Sequence, residues 1–247
     1  MNQEETTYIK LREMLLNGDL EPGSRLTEKH VCDLLAVSRT PVRAALLRLE
    51  AQNLVIGQDN RGYSVCGITV HDVWNANVVR AVLEGAAAGA LAARGVSEAQ
   101  RLILEHSIDD YSELAANIEL TDRFLGRHTA ANRMFHETIV TATGNNSFAR
   151  SIDTLAYMPV QISRTVFASD RAFAAKTLHM GLSDHRGVLR AVLTGDATAA
   201  EMLMRTHSQT ALRGIEQIKD RQKMGADYLA MPFHQFLRGV SVTVDAA

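Results

Sequence analysis

Cysteine, proline and aromatic residues are all scarce in this 247-residue chain. Two cysteines, Cys32 and Cys66, cannot build a disulfide framework and suit a reducing compartment. Four prolines against many alanines turn the composition toward helix. Neither sign of charge dominates: 26 Lys plus Arg stand against 28 Asp plus Glu, so no global excess announces nucleic acid or an anionic surface. Long apolar runs free of charge are missing too. The most apolar segment, Val78 to Ala93, contains Arg80 and Glu84 and is rich in alanine, which disqualifies it as a membrane span. The opening residues carry Glu4 and Glu5 where a secretory leader has a basic start and an apolar core, so no leader is expected. Disulfide-stapled, membrane-spanning and fibrous classes are excluded, and a cytoplasmic globular protein long enough for two domains is expected.

The first sixty-odd residues carry three short helical patterns and then two strands. Ile9, Leu11, Leu15 and Leu16 give helical periodicity, stopped by Gly18 and Pro22-Gly23. Thr27 is a good cap for a helix through Leu35. After a turn at Ala36-Val37, Ser38 can cap a helix to about Gln52, with Pro41 tolerated in its first turn. Leu54-Val55-Ile56 and Tyr63-Ser64-Val65, around the polar turn Asp59-Asn60-Arg61-Gly62, read as a small hairpin. Three helices and a hairpin make a winged helix-turn-helix plan, placed at residues 1–67.

Residues 68–224 read as an all-α bundle of six helices. Thr69 can cap a helix from His71 to near Gly95, and Ser97 with Gln100 is a capping box opening the next. Further helices are expected over Asp122 to Thr143, Asn146 to Phe167, Asp170 to Leu193 and Ala197 to Lys223, with breaks at Gly144-Asn145 and Gly195-Asp196. Residues 225–247 are expected to be a partly disordered tail, with a docking arm through Leu229, Phe233 and Phe236 as the alternative. The fold class is mainly α.

Local charge in the first region differs from the global balance: Arg25 to Arg48 holds five basic residues and two acidic ones. Arg39 and Arg43 are four apart near the start of the second helix of the helix-turn-helix and so project from one face. Such a helix enters the major groove by its N-terminal turns, and arginine is the commonest bidentate reader of guanine. Ser38 and Thr40, with the exposed amides of the helix start, suit phosphate oxygens, and Lys29 is a further phosphate candidate. Arg61-Gly62 can bring one cation and a small backbone to the adjacent minor groove. The bland alternative is a solvated helix with ordinary arginines.

Residues Ile9 to Val65 resemble the N-terminal winged helix of the GntR transcription-factor family, in Pro22-Gly23-Ser24-Arg25-Leu26, in the continuous run Ser38-Arg39-Thr40-Pro41-Val42-Arg43-Ala44-Ala45-Leu46, and in Arg48-Leu49-Glu50. The resemblance implies that Lys29, Arg39, Arg43 and Gly62 contact DNA, as in the FadR branch. Lys29 stands where an arginine is more usual, turning a bidentate clamp into a single charge.

In the helical region Asn132 and His136 lie one turn apart, His185 shares a stripe with Leu178, Leu182, Val188 and Val192, and His207 lies on the stripe of Leu203 and Ala211. Three imidazoles on inward faces can converge on a divalent ion, although a histidine on an apolar stripe is more often an ordinary core residue. The other six histidines, His30, His71, His106, His128, His179 and His234, read as surface or structural. Residues 72 to about 215 resemble the FCD effector-binding domain, in the six-helix form of the VanR-like subgroup, through Arg80, Leu83, Glu84 and Ala87, Asn132-Arg133-Met134-Phe135-His136, Asp184-His185-Arg186 and Met204-Arg205-Thr206-His207. The resemblance implies that Asn132, His136, His185 and His207 hold a divalent metal whose open positions meet a small carboxylate effector. Asn132 replaces the family's aspartate and removes a charge, which leaves a site suited to zinc or nickel. A metal-free pocket that holds effector by hydrogen bonds stays open as the alternative. Arg80, on the stripe of Val73, Ala87 and Leu91, is the candidate for the effector's carboxylate, with a simple pairing to Glu84 as the bland reading.

These readings combine into a dimeric repressor or other regulator that binds a palindromic double-stranded operator and answers to a small organic acid. The alternative from another class is a metal-dependent enzyme using the three histidines. It lacks an attached general base, because Glu137 directly follows His136 and should point away.

Overall fold

The structure, a computed structural model, describes residues 2–59, 61–155 and 171–238. Asn60 in the hairpin turn, the expected helix beyond Leu155 up to Asp170, and the last nine residues lie outside them. The described residues group into two compact units, one of residues 2–73 with 225–238 and one of residues 74–224.

The first unit opens with α1 (Gln3–Asn17), capped by the Asn2 side chain, and closes it with Gly18 in the left-handed region at φ 76°. A Cβ on Gly18 would also meet the His234 ring at 2.7 Å, so glycine serves both the cap and a close approach. Next come β1 (Arg25–Leu26), α2 (Glu28–Leu35) and α3 (Arg39–Ala51). Thr27 caps α2 as its type suggests, its hydroxyl accepting from His30 N at 3.1 Å. Ala36 makes the turn at φ 53°. The wing is β2 (Val55–Gln58) and β3 (Gly62–Val65), and the sheet order is β1-β3-β2, antiparallel throughout. β1 has two residues, too few to show a period of two, so the sequence reading gives a hairpin where three strands pair. Leu11, Leu15, Leu26, Val31, Leu46, Leu49, Leu54 and Val65 form one apolar core under helices and wing.

Residues 226–238 are not a loose tail. A 3-10 turn (Ala226–Ala230) precedes a final short helix (Phe233–Arg238) in the same unit. Tyr228, Phe233 and Phe236 are buried, Val70 N donates to Met231 O at 3.0 Å, and Phe233 N donates to Ile68 O at 2.8 Å. Three aromatics within nine residues supply the apolar surface that a floating tail lacks.

In the second unit the helices are α4 (Val70–Arg94, which begins in the first unit), α5 (Glu98–Ala116), α6 (Asp122–Ala142), α7 (Asn146–Asp153), α8 (Arg171–Leu193), α9 (Ala197–Ser208) and α10 (Thr210–Arg221). The single helix expected over Ala197 to Lys223 is broken at Gln209 with no glycine or proline to mark it. Thr69 and Asp72 cap α4 reciprocally, and Ser97 with Gln100 forms the capping box of α5. α4 is long and apolar enough to pass for a membrane span, but Ala81, Ala87, Ala88 and Leu91 spend that surface inside the bundle. Gly85 and Gly89 let α4 approach α9 closely: a Cβ would stand 3.0 Å from Glu201 O and 3.1 Å from Ala197 O. α5 packs on α6 and on α8, and α8 on α9. This arrangement brings the inward faces of α4, α6, α8 and α9 to one place.

Candidate functional site

Two regions hold the candidate residues, one in each unit. In the first, Ser38 occupies the cap position of α3, but its hydroxyl makes no capping bond and stands exposed. Arg39 and Thr40 are exposed in the first turn, and Lys29 is exposed on α2. The amides at this helix start and the Ser38 hydroxyl face solvent together, an arrangement that suits phosphate. Arg43 is exposed one turn further on, and Glu28 of α2 grips it from the side, Nε to Oε1 at 2.9 Å and Nη2 to Oε2 at 3.3 Å. The sequence reading did not foresee this fork-on-fork pair, since nothing in a spacing of fifteen residues advertises it. Pro41 and Val42 turn inward and fix the helix on the core.

At the wing, Arg61 is exposed and its carbonyl accepts from Arg25 Nε at 2.6 Å. Arg25, not singled out from sequence, thereby joins Arg61 on this edge. Gly62 has a second reason to be glycine. Its φ is 86°, and a Cβ there would lie 2.7 Å from Leu26 O, so any side chain would push β1 off β3.

In the second unit His136 (α6), His185 (α8) and His207 (α9) are buried and converge. His207 Nε2 lies 3.2 Å from His136 Nε2 and 3.0 Å from His185 Nε2. Behind them stand two carboxylates: Glu84 Oε2 is 3.1 Å from His136 Nδ1, and Asp184 Oδ2 is 3.3 Å from His207 Nδ1. His185 is held by packing, its ring stacked on Phe135 with centroids 4.0 Å apart and met edge-on by Tyr111. Its Nδ1, like that of His136, has no hydrogen-bond partner among the described residues, but unlike that of His136 it has no carboxylate paired with it there. Asn132 is half-buried one turn before His136 on the same face of α6.

The arrangement has an electrostatic consequence. A carboxylate beside Nδ1 requires the ring proton there, because a bare nitrogen would repel it. His136 and His207 then present bare Nε2 lone pairs to each other at 3.2 Å, with His185 Nε2 as close on the other side. Two bare lone pairs facing each other are an arrangement that a cation between them would relieve. Two nitrogens bonded at ~2.0–2.1 Å to one ion stand about 3.3 Å apart in a tetrahedral site, and the separations here are of that size. The donor set therefore fits a borderline divalent ion such as zinc or nickel.

Burial pushes the imidazolium forms of His136 and His185 down, His185 furthest, with Glu84 opposing the shift at His136. Burial thus favours the neutral form of both rings. Burial alone would raise Glu84, but Arg80 first, then His136 and Ser208, hold its carboxyl well below the usual range. Arg80 is thus engaged: its Nε donates to Glu84 Oε1 at 2.7 Å. The pairing read from sequence as the bland option is present, although the arginine precedes the glutamate. His128, one of the six histidines set aside, is buried and bonded to Tyr111 Oη at 2.9 Å, and burial pulls it down to about 4. Glu84, Tyr111, Asp184 and Ser208 complete the surroundings. Sequence reasoning gave Glu84 only as a partner for Arg80 and missed the other three. Glu137 is exposed and faces Arg133 at 3.9 Å, so it offers the histidines no base. Glu84, with each oxygen already occupied, offers none either.

Comparisons with known proteins agree with this division. Residues 3–65 match the family model described as bacterial regulatory proteins, gntR family, and residues 76–210 match the FCD domain. The uncharacterized HTH-type transcriptional regulator YdhC of Bacillus subtilis (strain 168) is 31% identical over 138 residues, which spans 56% of this chain and only 59% of that relative. The HTH-type transcriptional repressors GlaR and RspR of Escherichia coli (strain K12) are 25% and 27% identical. Those alignments cover 85% and 86% of this chain and 94% and 88% of theirs. Among solved structures, E. coli McbR/YncC has the same fold, with a TM-score of 0.64 at 21% identity over 88% of this chain and 98% of that one.

Proposed function

We infer the function from one premise: the chain belongs to the GntR family of bacterial regulatory proteins and carries an FCD domain behind its winged helix. It is a DNA-binding transcriptional regulator. Beyond that, it represses transcription from a palindromic operator as a homodimer in the cytoplasm, and a small carboxylate bound at a zinc or nickel centre controls its grip. Repression follows the two E. coli relatives named as repressors. Pairing follows from operator symmetry, since one winged helix covers one half-site.

The observation that carries the effector reading is the meeting of three buried Nε2 atoms, two of them backed by carboxylates. His136, His185 and His207 would hold the ion, with Asn132 offering an amide oxygen from the same face as His136. A bound ion supplies a Lewis-acidic centre that a carboxylate can reach. The protein's own part is to present neutral imidazoles, exclude water with Phe135 and Tyr111, and keep Arg80 within reach of an entering anion. On the DNA side, Arg39 and Arg43 read base edges, Ser38, Thr40 and Lys29 hold phosphates, and Arg61 with Gly62 approaches the minor groove. A ligand moves the operator equilibrium only through its different affinity for the two arrangements, and a shift from 1:99 to 99:1 takes about 5.5 kcal/mol. The hydrolytic alternative has no support: the relatives are regulators, and neither Glu137 nor Glu84 is placed as a base.

The test is a duplex pool selected by the wild-type protein, followed by binding to the winning sequence with zinc, with chelator, and with a panel of mono-, di- and tricarboxylates. A two-fold symmetric site, bound by two copies and released by a carboxylate only when zinc is present, is expected. Carboxylate release that persists in chelator would instead favour the metal-free pocket.

A further inference from the structure

Glu84 is a carboxylate where the inward stripe of α4 has no packing use for one. It is 1% exposed, yet three helices meet it: Arg80 Nε of α4 donates to Oε1 at 2.7 Å, Ser208 Oγ of α9 donates to Oε2 at 2.6 Å, and His136 Nδ1 of α6 lies 3.1 Å from Oε2 as a charge contact outside hydrogen-bond alignment. An ion pair buried for stability alone is a poor bargain, because apolar residues of similar size usually serve as well or better. Asp184, 36% exposed on α8, faces His207 Nδ1 in the same relation. His185 has no such partner among the described residues and is oriented by rings instead. The two carboxylates therefore single out two of the three histidines, each at the nitrogen turned away from the cluster.

Resting on the reading of this cluster as a metal centre, we propose that Glu84 and Asp184 are its positioning residues: each pins the ring proton of its histidine on Nδ1, bares Nε2 for the ion, and supplies through the ring the negative charge that Asn132 does not. An imidazole with nothing at Nδ1 can carry its proton on either nitrogen, and with the proton on Nε2 that atom cannot ligate an ion in the cluster. The charge follows the same route. Three imidazoles and an amide are all neutral, so a divalent ion among them has no anion in direct contact. Glu84 is partly balanced by Arg80, and both carboxylates sit one ring away from the ion's place. A site built this way favours ions that prefer nitrogen donors, zinc or nickel, over magnesium or manganese. Ser208 also has a role here: the unmarked break at Gln209 follows directly after it, and its hydroxyl fixes Oε2.

The experiment measures zinc affinity of the full-length protein by chelator competition for wild type, Glu84→Gln, Asp184→Asn and His185→Ala, with imidazole nitrogen NMR of the metal-free forms. Outer carboxylates of this kind are worth roughly 10- to 100-fold in metal affinity. Glu84→Gln is expected in that range, Asp184→Asn toward its lower end because it is partly exposed, and His185→Ala to lose binding. In wild type the NMR places the His136 proton on Nδ1, and in Glu84→Gln a population with the proton on Nε2 emerges, a change that a merely structural role would not produce. Asp184→Asn keeps the test valid if Glu84→Gln fails to fold, since Asp184 lies at the surface edge. Zinc binding as tight in both folded variants as in wild type overturns this proposal alone. No zinc uptake by wild type overturns it together with the metal reading.

Discussion

Replacing Arg43 with alanine and Glu28 with glutamine, singly and together, tests how the exposed tip of α3 reads DNA. The guanidinium is gripped on two nitrogens by Glu28, at 2.9 and 3.3 Å, yet its side chain remains 68% exposed. An exposed pair of this kind shifts an equilibrium by no more than about fivefold. A bidentate contact with guanine discriminates by roughly 5- to 150-fold. If Arg43 reads guanine as proposed, the base contact outweighs the pair, and Arg43 is expected to leave Glu28 on binding. Arg43→Ala is expected to weaken binding to the selected operator within that range and to relax preference at one base pair per half-site. Glu28→Gln is expected to tighten binding by up to about fivefold, because the restraint and a negative charge near phosphate go together. In the double variant Glu28→Gln should regain little, since the restrained group is gone. Fluorescence anisotropy on the operator and on single-pair substitutions, at several salt concentrations, reads all three. Equal loss on every sequence, with the salt slope reduced by about one, would make Arg43 a phosphate contact and refute the reasoning.

Three other outcomes follow from the packing. Chelator should lower the melting temperature of wild type but not of His185→Ala; no effect on either would remove the metal from the account. Burial pulls His128 down from an ordinary 6.5 to about 4 in the folded protein, so its neutrality stabilises the fold above pH 6.5, and that stability is expected to be lost as pH falls through about 4. Between pH 6.5 and 5 the loss is about 2 kcal/mol, and urea unfolding of chelated His128→Gln should lack that part of the slope; an unchanged slope refutes the assignment. Phe236 is fully buried, and Phe236→Ala would cost about 3–5 kcal/mol in a core that could not yield. Here the short C-terminal helix can undock instead, so hydrogen exchange at the Val70 amide, which donates to Met231 O, should rise sharply while Leu46 and Leu49 stay protected.

The winged helix was legible because its signals are local. Thr27, Gly18 and the Ala36 turn each act within four residues, and each has the backbone geometry its type suggests. What the sequence conceals are features without a local cause. β1 is two residues held only by β3. The break at Gln209 has no breaker residue and coincides with Ser208 reaching a glutamate 124 positions away. The C-terminal arm looked loose because Tyr228, Phe233 and Phe236 show no period, and their burial depends on a partner surface at the other end of the chain.

The same rule divides the histidine site. Its three imidazoles were visible because each sits on an apolar stripe where a polar ring is conspicuous. The groups that decide what those rings can do were not. Asp184 adjoins His185 in sequence but serves His207, since successive helical residues point about 100° apart. Glu84 passed for half of an ordinary helical ion pair with Arg80, and that pair does exist at 2.7 Å. Only its second oxygen, facing Ser208 and His136, separates a surface-type pair from a buried anion beside a histidine of the cluster. Spacing along a helix can place a charge on a stripe, but which oxygen faces which neighbour is fixed by the other helices. For that reason the loss of a charged ligand at Asn132 reads from sequence as a weakened site, whereas the folded chain holds two carboxylates one ring further out.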